Sequence, residues 1–277
     1  SDGLALYFSD SYSSSPRPGG LGGADLWMTT RAGPSAPWGR PVNLGPSVNS
    51  NERDFSATIS GDGLTLVFTS TRAGGMGSWD LWMATRAGVE DAWNPAVNMG
   101  AVVNSGNVEG ECALSADGLA LFFLSNRPGG LGSWDLWMTT RESVNTPWNV
   151  PVNLGPAVNS SAAEGSAGIA ADMRTFYFTS DRAGGLGGYD LRAAPILPIV
   201  DLNGNGAVDT RDLLPLIESW GQYDPRTDIG PAPWGDGIVD AADLEVLMDH
   251  WGQEVDDPTL LAHWKLDEVE GMMASDS

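Results

Sequence analysis

The sequence is poor in lysine, cysteine and histidine, and it contains no long hydrophobic run. Of its 277 residues one is lysine, Lys265, one is cysteine, Cys112, and 2 are histidine. A single cysteine allows neither a disulfide within the chain nor a cysteine-based zinc site. The formal charge of −22 leaves no basic surface for phosphates, so we expect no nucleic-acid partner. The apolar run at 193–200 is too short to span a membrane.

Negative charge is concentrated towards the end of the chain. Residues 1–200 carry 18 acidic residues and 11 arginines, a net charge of −7. Residues 201–277 carry 18 acidic and 3 basic residues, a net charge of −15. Such a density of carboxylates either repels itself into disorder or binds cations. The regular spacing of these acids favours cations.

The first two hundred residues repeat with a period of 55, marked most clearly by an Asp-Leu pair. The pair begins at Asp25, Asp80, Asp135 and Asp190. Within one copy, short apolar runs bounded by turn residues predict strands at 64–68, 80–86, 93–99 and 109–114. Four short strands per copy, without helical periodicity, are typical of a propeller blade. We therefore predict a mainly β fold, a β-propeller of about four blades that stack to bury their faces.

The repeat resembles a known family. Its order is Ser-x-Asp-Gly, an apolar strand, Arg-x-Gly-Gly-x-Gly and then an aromatic residue before Asp-Leu-Trp. This order is similar to that of TolB-type, WD-like β-propeller repeats. The resemblance covers residues 1–198 and implies an exported bacterial protein with a binding propeller rather than a catalyst. Four copies are few for a closed ring, so we expect further blades before residue 1.

Several side chains of the repeat admit both a structural and a functional interpretation. The Gly-rich loops are interpreted as turns that need positive φ, not as calcium-binding repeats. A glycosidase needs two catalytic carboxylates, but three acids simply recur with the repeat: Asp54, Glu109 and Glu164. Glu111 departs from it, because the other copies have Ser56 and Ser166 there. The aromatic residues before the Asp-Leu pairs either pack between blades or stack on sugars: Trp79, Trp134 and Tyr189.

Residues 201–212 have the ligand spacing of an EF-hand calcium loop. Calcium takes six to eight oxygen ligands, which alternate residues of a tight loop can supply. The predicted ligands are Asp201, Asn203, Asn205, the Ala207 carbonyl, Asp209 and Asp212. Gly206 provides the bend that such a loop requires. The alternative is an Asp- and Asn-rich turn that holds no ion.

A second copy of the loop follows 31 residues later. Its predicted ligands are Asp236, the Ile238 carbonyl, Asp240 and Asp243. Its early positions hold Ala232 and Trp234, so Asp228 or backbone carbonyls would have to replace the missing side chains. This copy either binds a second calcium ion or is a cation-free structural repeat.

Each loop leads into a predicted helix that ends at Trp-Gly-Gln. Paired loops of this kind, without a helix before the first loop and with Asp at the last ligand position, resemble the dockerin type I family. The resemblance covers residues 201–252 and implies calcium-dependent folding and docking onto a cohesin partner. The family's recognition positions fall on Thr210-Arg211 and Ala241-Ala242, and only Thr210 keeps a hydroxyl.

We therefore divide the chain into propeller repeats (1–198), a small all-α, EF-hand-like dockerin module (199–253) and a third segment (254–277). The third segment resembles the first strand of a laminin-G-like lectin domain, and we expect that strand to lack its sheet. The whole is predicted to be a secreted or cell-surface binding and scaffold protein that binds Ca²⁺. Its partner would be a cohesin-like protein or a surface polymer, and we expect no catalytic activity in this chain. The alternative is part of a secreted glycoside hydrolase that degrades polysaccharide.

Overall fold

The computed structural model describes residues 3–10, 17–141, 143–170, 175–197, 200–203, 205, 207–222, 224, 227–230, 238–254 and 265–266. Contacts divide the chain into two compact units. The repeat unit comprises residues 1–171 and 177–192, and the C-terminal unit comprises residues 172–176 and 193–277. No helix in the described ranges has the length and apolar character needed to cross a membrane.

The described strands form four antiparallel sheets, one for each copy of the repeat. The first consists of β1 Ala5–Ser9, β2 Leu26–Thr30 and β3 Val42–Asn43. The second consists of β4 Asp54–Ile59, β5 Thr65–Ser70, β6 Asp80–Thr85 and β7 Val97–Asn98. The third consists of β8 Glu109–Leu114, β9 Ala120–Ser125, β10 Asp135–Thr140 and β11 Val152–Asn153. The fourth contains β12 Glu164–Ile169, β13 Thr175–Ser180, β14 Asp190–Leu197 and β15 Lys265–Leu266.

The predicted strands at 64–68, 80–86 and 109–114 are confirmed, but the strand at 109–114 is the first of the third sheet and not the last of the second. The segment predicted as a strand at 93–99 is a strand only at Val97–Asn98, because Trp93 turns into the core and Pro95 has no N–H to donate to a ladder. A short helix, α1 Gly100–Val103, follows it and was not predicted. Residues 265–266 of the third segment pair with Ile196 and Leu197 of β14, and the lectin-like interpretation of that segment stays a prediction.

Neighbouring sheets in the repeat unit pack face to face through apolar side chains. Strand β5 is buried along its whole length, so its alternating side chains serve two interfaces. Leu66 and Phe68 pack with Leu26 of the first sheet, whereas Val67 packs with Leu121 and other residues of the third. A sheet that is buried on both sides explains the uninterrupted apolar run. Separate antiparallel sheets of three or four strands that stack in chain order are the blades of a β-propeller.

The Gly-rich motif forms a turn between two strands of each blade and, in the first three copies, lies against the backbone of the next. In the second copy, Gly74 has a φ of 93°, which confirms a turn that needs the left-handed region. The Asp80 carboxylate accepts hydrogen bonds from the N–H groups of Met76 and Gly77, so it holds the loop and is 1% exposed. A Cβ atom at Gly77 would overlap the carbonyl oxygen of Asn107 in the next copy. Glycine is required there because two backbones touch.

The C-terminal unit contains the two predicted helices, α2 Leu213–Glu218 and α3 Ala241–Asp249. The chain after each helix pairs with the loop of the other copy. Val208 exchanges hydrogen bonds with Gly252 and Gln253, and Val239 exchanges them with Gly221 and Gln222. The equivalent partners lie 31 residues apart, so the two halves are related by an internal repeat. A shared core lies between them: Val200, Val208, Leu216, Ile229, Val239, Val246 and Leu247.

Candidate functional site

Three of the predicted ligands in the first loop meet around one carboxylate. Asp212, which is fully buried, accepts hydrogen bonds from the N–H of Asn203 at 3.1 Å and from its Nδ2 at 2.5 Å. Its other oxygen accepts the N–H of Asp209 at 2.7 Å. Asp201, also buried, accepts the N–H of Asn205 at 3.1 Å. Hydrogen bonds thus join the third, ninth and twelfth positions of the loop, and a separate bond joins the first to the fifth.

The electrostatics of this centre favour a cation. Burial raises the pKa of the Asp212 carboxyl, and the negative charge of Asp201 raises it further. Backbone N–H groups, among them that of Asp209, act in the opposite direction. A bound cation would offset the repulsion between the two carboxylates, because a nearby opposite charge stabilises the ionised form of each.

The other predicted ligands of the first loop lie at its edge. Asn205 accepts the N–H of Ala207, and Ala207 forms a β-bridge with Glu254. The half-exposed Asp209 accepts the N–H of Arg211. Within the described ranges, no three His, Cys, Asp or Glu side chains gather in a way that would hold a metal ion. Calcium accepts amide and carbonyl oxygens as well as carboxylates, so the donor set of the loop has the chemistry that a hard cation requires. Gly206 lies outside the described residues.

The second loop uses its acids differently. Asp243 is fully buried and accepts three backbone N–H groups, those of Ile229 at 2.6 Å, Gly230 at 2.7 Å and Asp240 at 2.6 Å. Asp240 caps helix α3 and accepts the N–H of Ala242 at 2.8 Å. Together they form a capping box. The side chain of Ile238 is exposed, and Asp236 lies outside the described residues.

The recurring acids of the repeat unit have a structural role, as interpreted from the sequence. Glu109 is fully buried, forms an ion pair with Arg127 at 3.1 Å and accepts hydrogen bonds from Ser105 and Ser125. Burial lowers the pKa of the Arg127 guanidinium, and Glu109 opposes that effect. The same arrangement occurs in two further copies, as Asp54 with Arg72 and Glu164 with Arg182.

Glu111 differs from those acids, because it lies at a pocket. The pocket has a volume of about 320 Å³ and belongs to the repeat unit. Its lining includes Glu111, Ser166, Trp79, Trp134 and Tyr189. The repeat pattern indicated Glu111 and the three aromatic residues as candidate functional residues. It gave no such indication for Gly165, Ser166 and Thr179, which also line the pocket. The one signal for Gly165 is that Phe55 stands at its position in the second copy.

Comparison with known proteins gives distant structural similarity only. No family model matches the chain, and no curated protein matches it. TolB from Agrobacterium tumefaciens superposes on 70% of the chain with a TM-score of 0.45 and 13% identity. TolB from Acinetobacter baumannii superposes on 62% with 0.39 and 12%, and an alpha-L-arabinofuranosidase from Lactobacillus brevis on 70% with 0.47 and 11%. The matches span 58%, 35% and 69% of those chains, respectively. At this level of similarity, none of them indicates what this chain binds.

Proposed function

We propose that this chain is a binding and scaffold protein whose C-terminal unit binds calcium and docks a protein partner, while its repeat unit recognises a ligand. The observation that carries the proposal is a loop of EF-hand spacing in which Asp201 and Asp212 are both buried and the negative charge of Asp201 acts on Asp212. Like charges that lie close together raise the cost of ionising a buried carboxylate, and a calcium ion bound to both would offset that cost.

In the proposed site, Asp212 and Asp201 supply carboxylate oxygens and Asn203 supplies its amide oxygen. Asn203 would turn its side chain, because Nδ2 and not the oxygen now points at Asp212. Asn205, Asp209 and the Ala207 carbonyl complete the shell of six to eight oxygens that calcium takes. Calcium in the second loop stays a prediction, since Ala232 and Trp234 replace its early ligands and Asp236 lies outside the described residues.

A protein-docking role is supported by exposed apolar side chains on the two helical segments. Ile217 and Trp220 are exposed after the first loop, and Met248 and Trp251 are exposed at the equivalent positions of the second. Trp and Met are enriched at protein interfaces. A cohesin-like partner and an extracellular or cell-surface location follow from the dockerin resemblance, and extracellular modules bind calcium at roughly 10⁻⁴–10⁻³ M.

Isothermal titration of the full chain with calcium, after treatment with EDTA, tests the proposal. We expect one site for the first loop and, if the second loop is filled, two. Asp212→Asn keeps the shape of the side chain but removes its charge, so it should abolish the first site. Glu245→Gln removes an exposed acid of helix α3 and should leave the titration unchanged. Equal heats for the native chain and Asp212→Asn would refute the proposed site.

A further inference from the structure

Glu111, which departs from the repeat, meets Gly165 in the pocket of the repeat unit. The residue after the recurring strand-start acid is Phe55 in the second copy but Gly110 and Gly165 in the next two. The Phe55 ring packs edge-on against Trp79, with centroids 5.1 Å apart. At Gly165 that ring is missing, and a Cβ atom there would lie 2.9 Å from Oε2 of Glu111. Glycine at position 165 leaves space that a larger side chain would fill, and the Glu111 carboxylate borders that space.

Glu111 has the backbone conformation that its position has in every copy. It lies at a register shift of its strand with a φ of 47°, and Ser56 and Ser166 have φ values of 50° and 48°. The unusual backbone therefore belongs to the fold, and only the carboxylate is particular to this place. Its Oε2 accepts the N–H of Ser166 at 2.8 Å and the Ser166 hydroxyl at 3.1 Å. These two hydrogen bonds hold the Glu111 side chain of β8 against β12 of the next sheet. The second carboxylate oxygen, Oε1, can then accept a hydrogen bond from a ligand.

The lining of the pocket combines aromatic faces with uncharged and acidic hydrogen-bonding groups. Trp79 and Trp134 are half-buried, and Tyr189 is 59% exposed, so their rings are accessible in part. Ser166 and Thr179 provide hydroxyls beside Glu111. No lysine or arginine is among the lining residues, and Glu164 is bound to Arg182. An anionic ligand would therefore meet only negative charge.

We propose that this pocket binds one sugar residue of a neutral glycan. A sugar ring has an apolar C–H face, which packs against aromatic rings, and a rim of hydroxyls, which bond to carboxylate and hydroxyl groups. A quaternary ammonium ion would use the rings and the carboxylate but would leave Ser166 and Thr179 without a role. Pockets that bind ligands range from about 300 to 1,000 Å³, so this one suits a single ring. The inference rests on the recognition role proposed for the repeat unit.

Binding of the full chain to an array of neutral glycans, followed by titration with the best-bound oligosaccharide, tests this inference. Glu111→Ser is the informative variant, because serine already occupies the same backbone conformation at positions 56 and 166. We expect it to weaken binding about tenfold or more, as for a lost charge-assisted hydrogen bond. Trp134→Ala should have an effect of similar size. Trp38→Ala, which removes an exposed tryptophan that does not line the pocket, should leave binding unchanged.

Circular dichroism and melting temperature establish that each variant is folded. Unchanged affinity of folded Glu111→Ser, binding to no neutral glycan, or binding to tetramethylammonium instead of glycans would each overturn the inference. Because the pocket lies within the repeat unit, calcium titration of the same preparation separates the two proposals. If the native chain binds calcium but no neutral glycan, the inference alone is refuted.

Discussion

The approach of consecutive blades at a glycine gives a sharp prediction for stability. At the last glycine of the Gly-Gly-x-Gly motif, a Cβ atom would overlap a backbone carbonyl oxygen of the next copy in three of four cases. The overlapping pairs are Gly22 with Glu52, Gly77 with Asn107 and Gly132 with Ala162. A carbonyl oxygen cannot rotate away as a side chain can, so Gly77→Ala must move one sheet relative to its neighbour.

The fourth copy provides the matched control. The nearest atom to a Cβ at Gly187 is Oδ1 of Asp190, at 4.0 Å. Overpacking costs about 1–3 kcal/mol and sometimes more, and overlap with the backbone places Gly77→Ala at or above about 3 kcal/mol. Gly187→Ala should be neutral or stabilise by about 0.4–1 kcal/mol through the unfolded chain.

The free energy of unfolding in urea, followed by tryptophan fluorescence, measures this difference. A loss of about 3 kcal/mol corresponds to a melting temperature lower by roughly 6–12 °C for a unit of this size. Equal stability of the two alanine variants would refute the close approach of the sheets and, with it, the stacking of blades.

Three further predictions concern single side chains. Arg127→Met leaves Glu109 buried without its ion-pair partner and should cost about 3–5 kcal/mol in urea unfolding, whereas the exposed Arg40→Met should cost little. Burial raises the pKa of the Cys112 thiol to about 12. At pH 8 only about one thiol in ten thousand is then ionised, so DTNB should react when the unit unfolds and not before. Asp243→Asn weakens three backbone hydrogen bonds, so it should lower the melting temperature while the first calcium site still titrates; loss of that site would contradict its independence.

Much of the fold could be predicted because the strands recur with the period of the sequence repeat. The 55-residue period located the blades, and turn residues before apolar runs located strands such as Thr65–Ser70. The helices after the two loops followed from apolar spacing. The short outer strand Val97–Asn98 could not be predicted, since the position of Trp93 in the core depends on a neighbouring sheet.

The contacts of the first loop could be predicted because its ligand spacing is local. Asn203, Asp209 and Asp212 lie within ten residues and are joined by hydrogen bonds, whereas calcium binding there stays a prediction. The pocket depends on Gly165 and Glu111, which are 54 positions apart and meet through the packing of two sheets. Sequence alone showed that Glu111 breaks the repeat, but not which space it enters. The role of Asp243 as a cap also depends on distant N–H groups, those of Ile229 and Gly230.

The most direct test of the calcium site is an anomalous difference map from crystals of the full chain grown in calcium. We predict a peak within about 2.3–2.6 Å of oxygens from Asp201, Asn203 and Asp212, with the Asn203 side chain turned so that its oxygen faces the ion. A map without a peak in this loop, with Nδ2 of Asn203 still donating to Asp212 at millimolar calcium, would contradict the account.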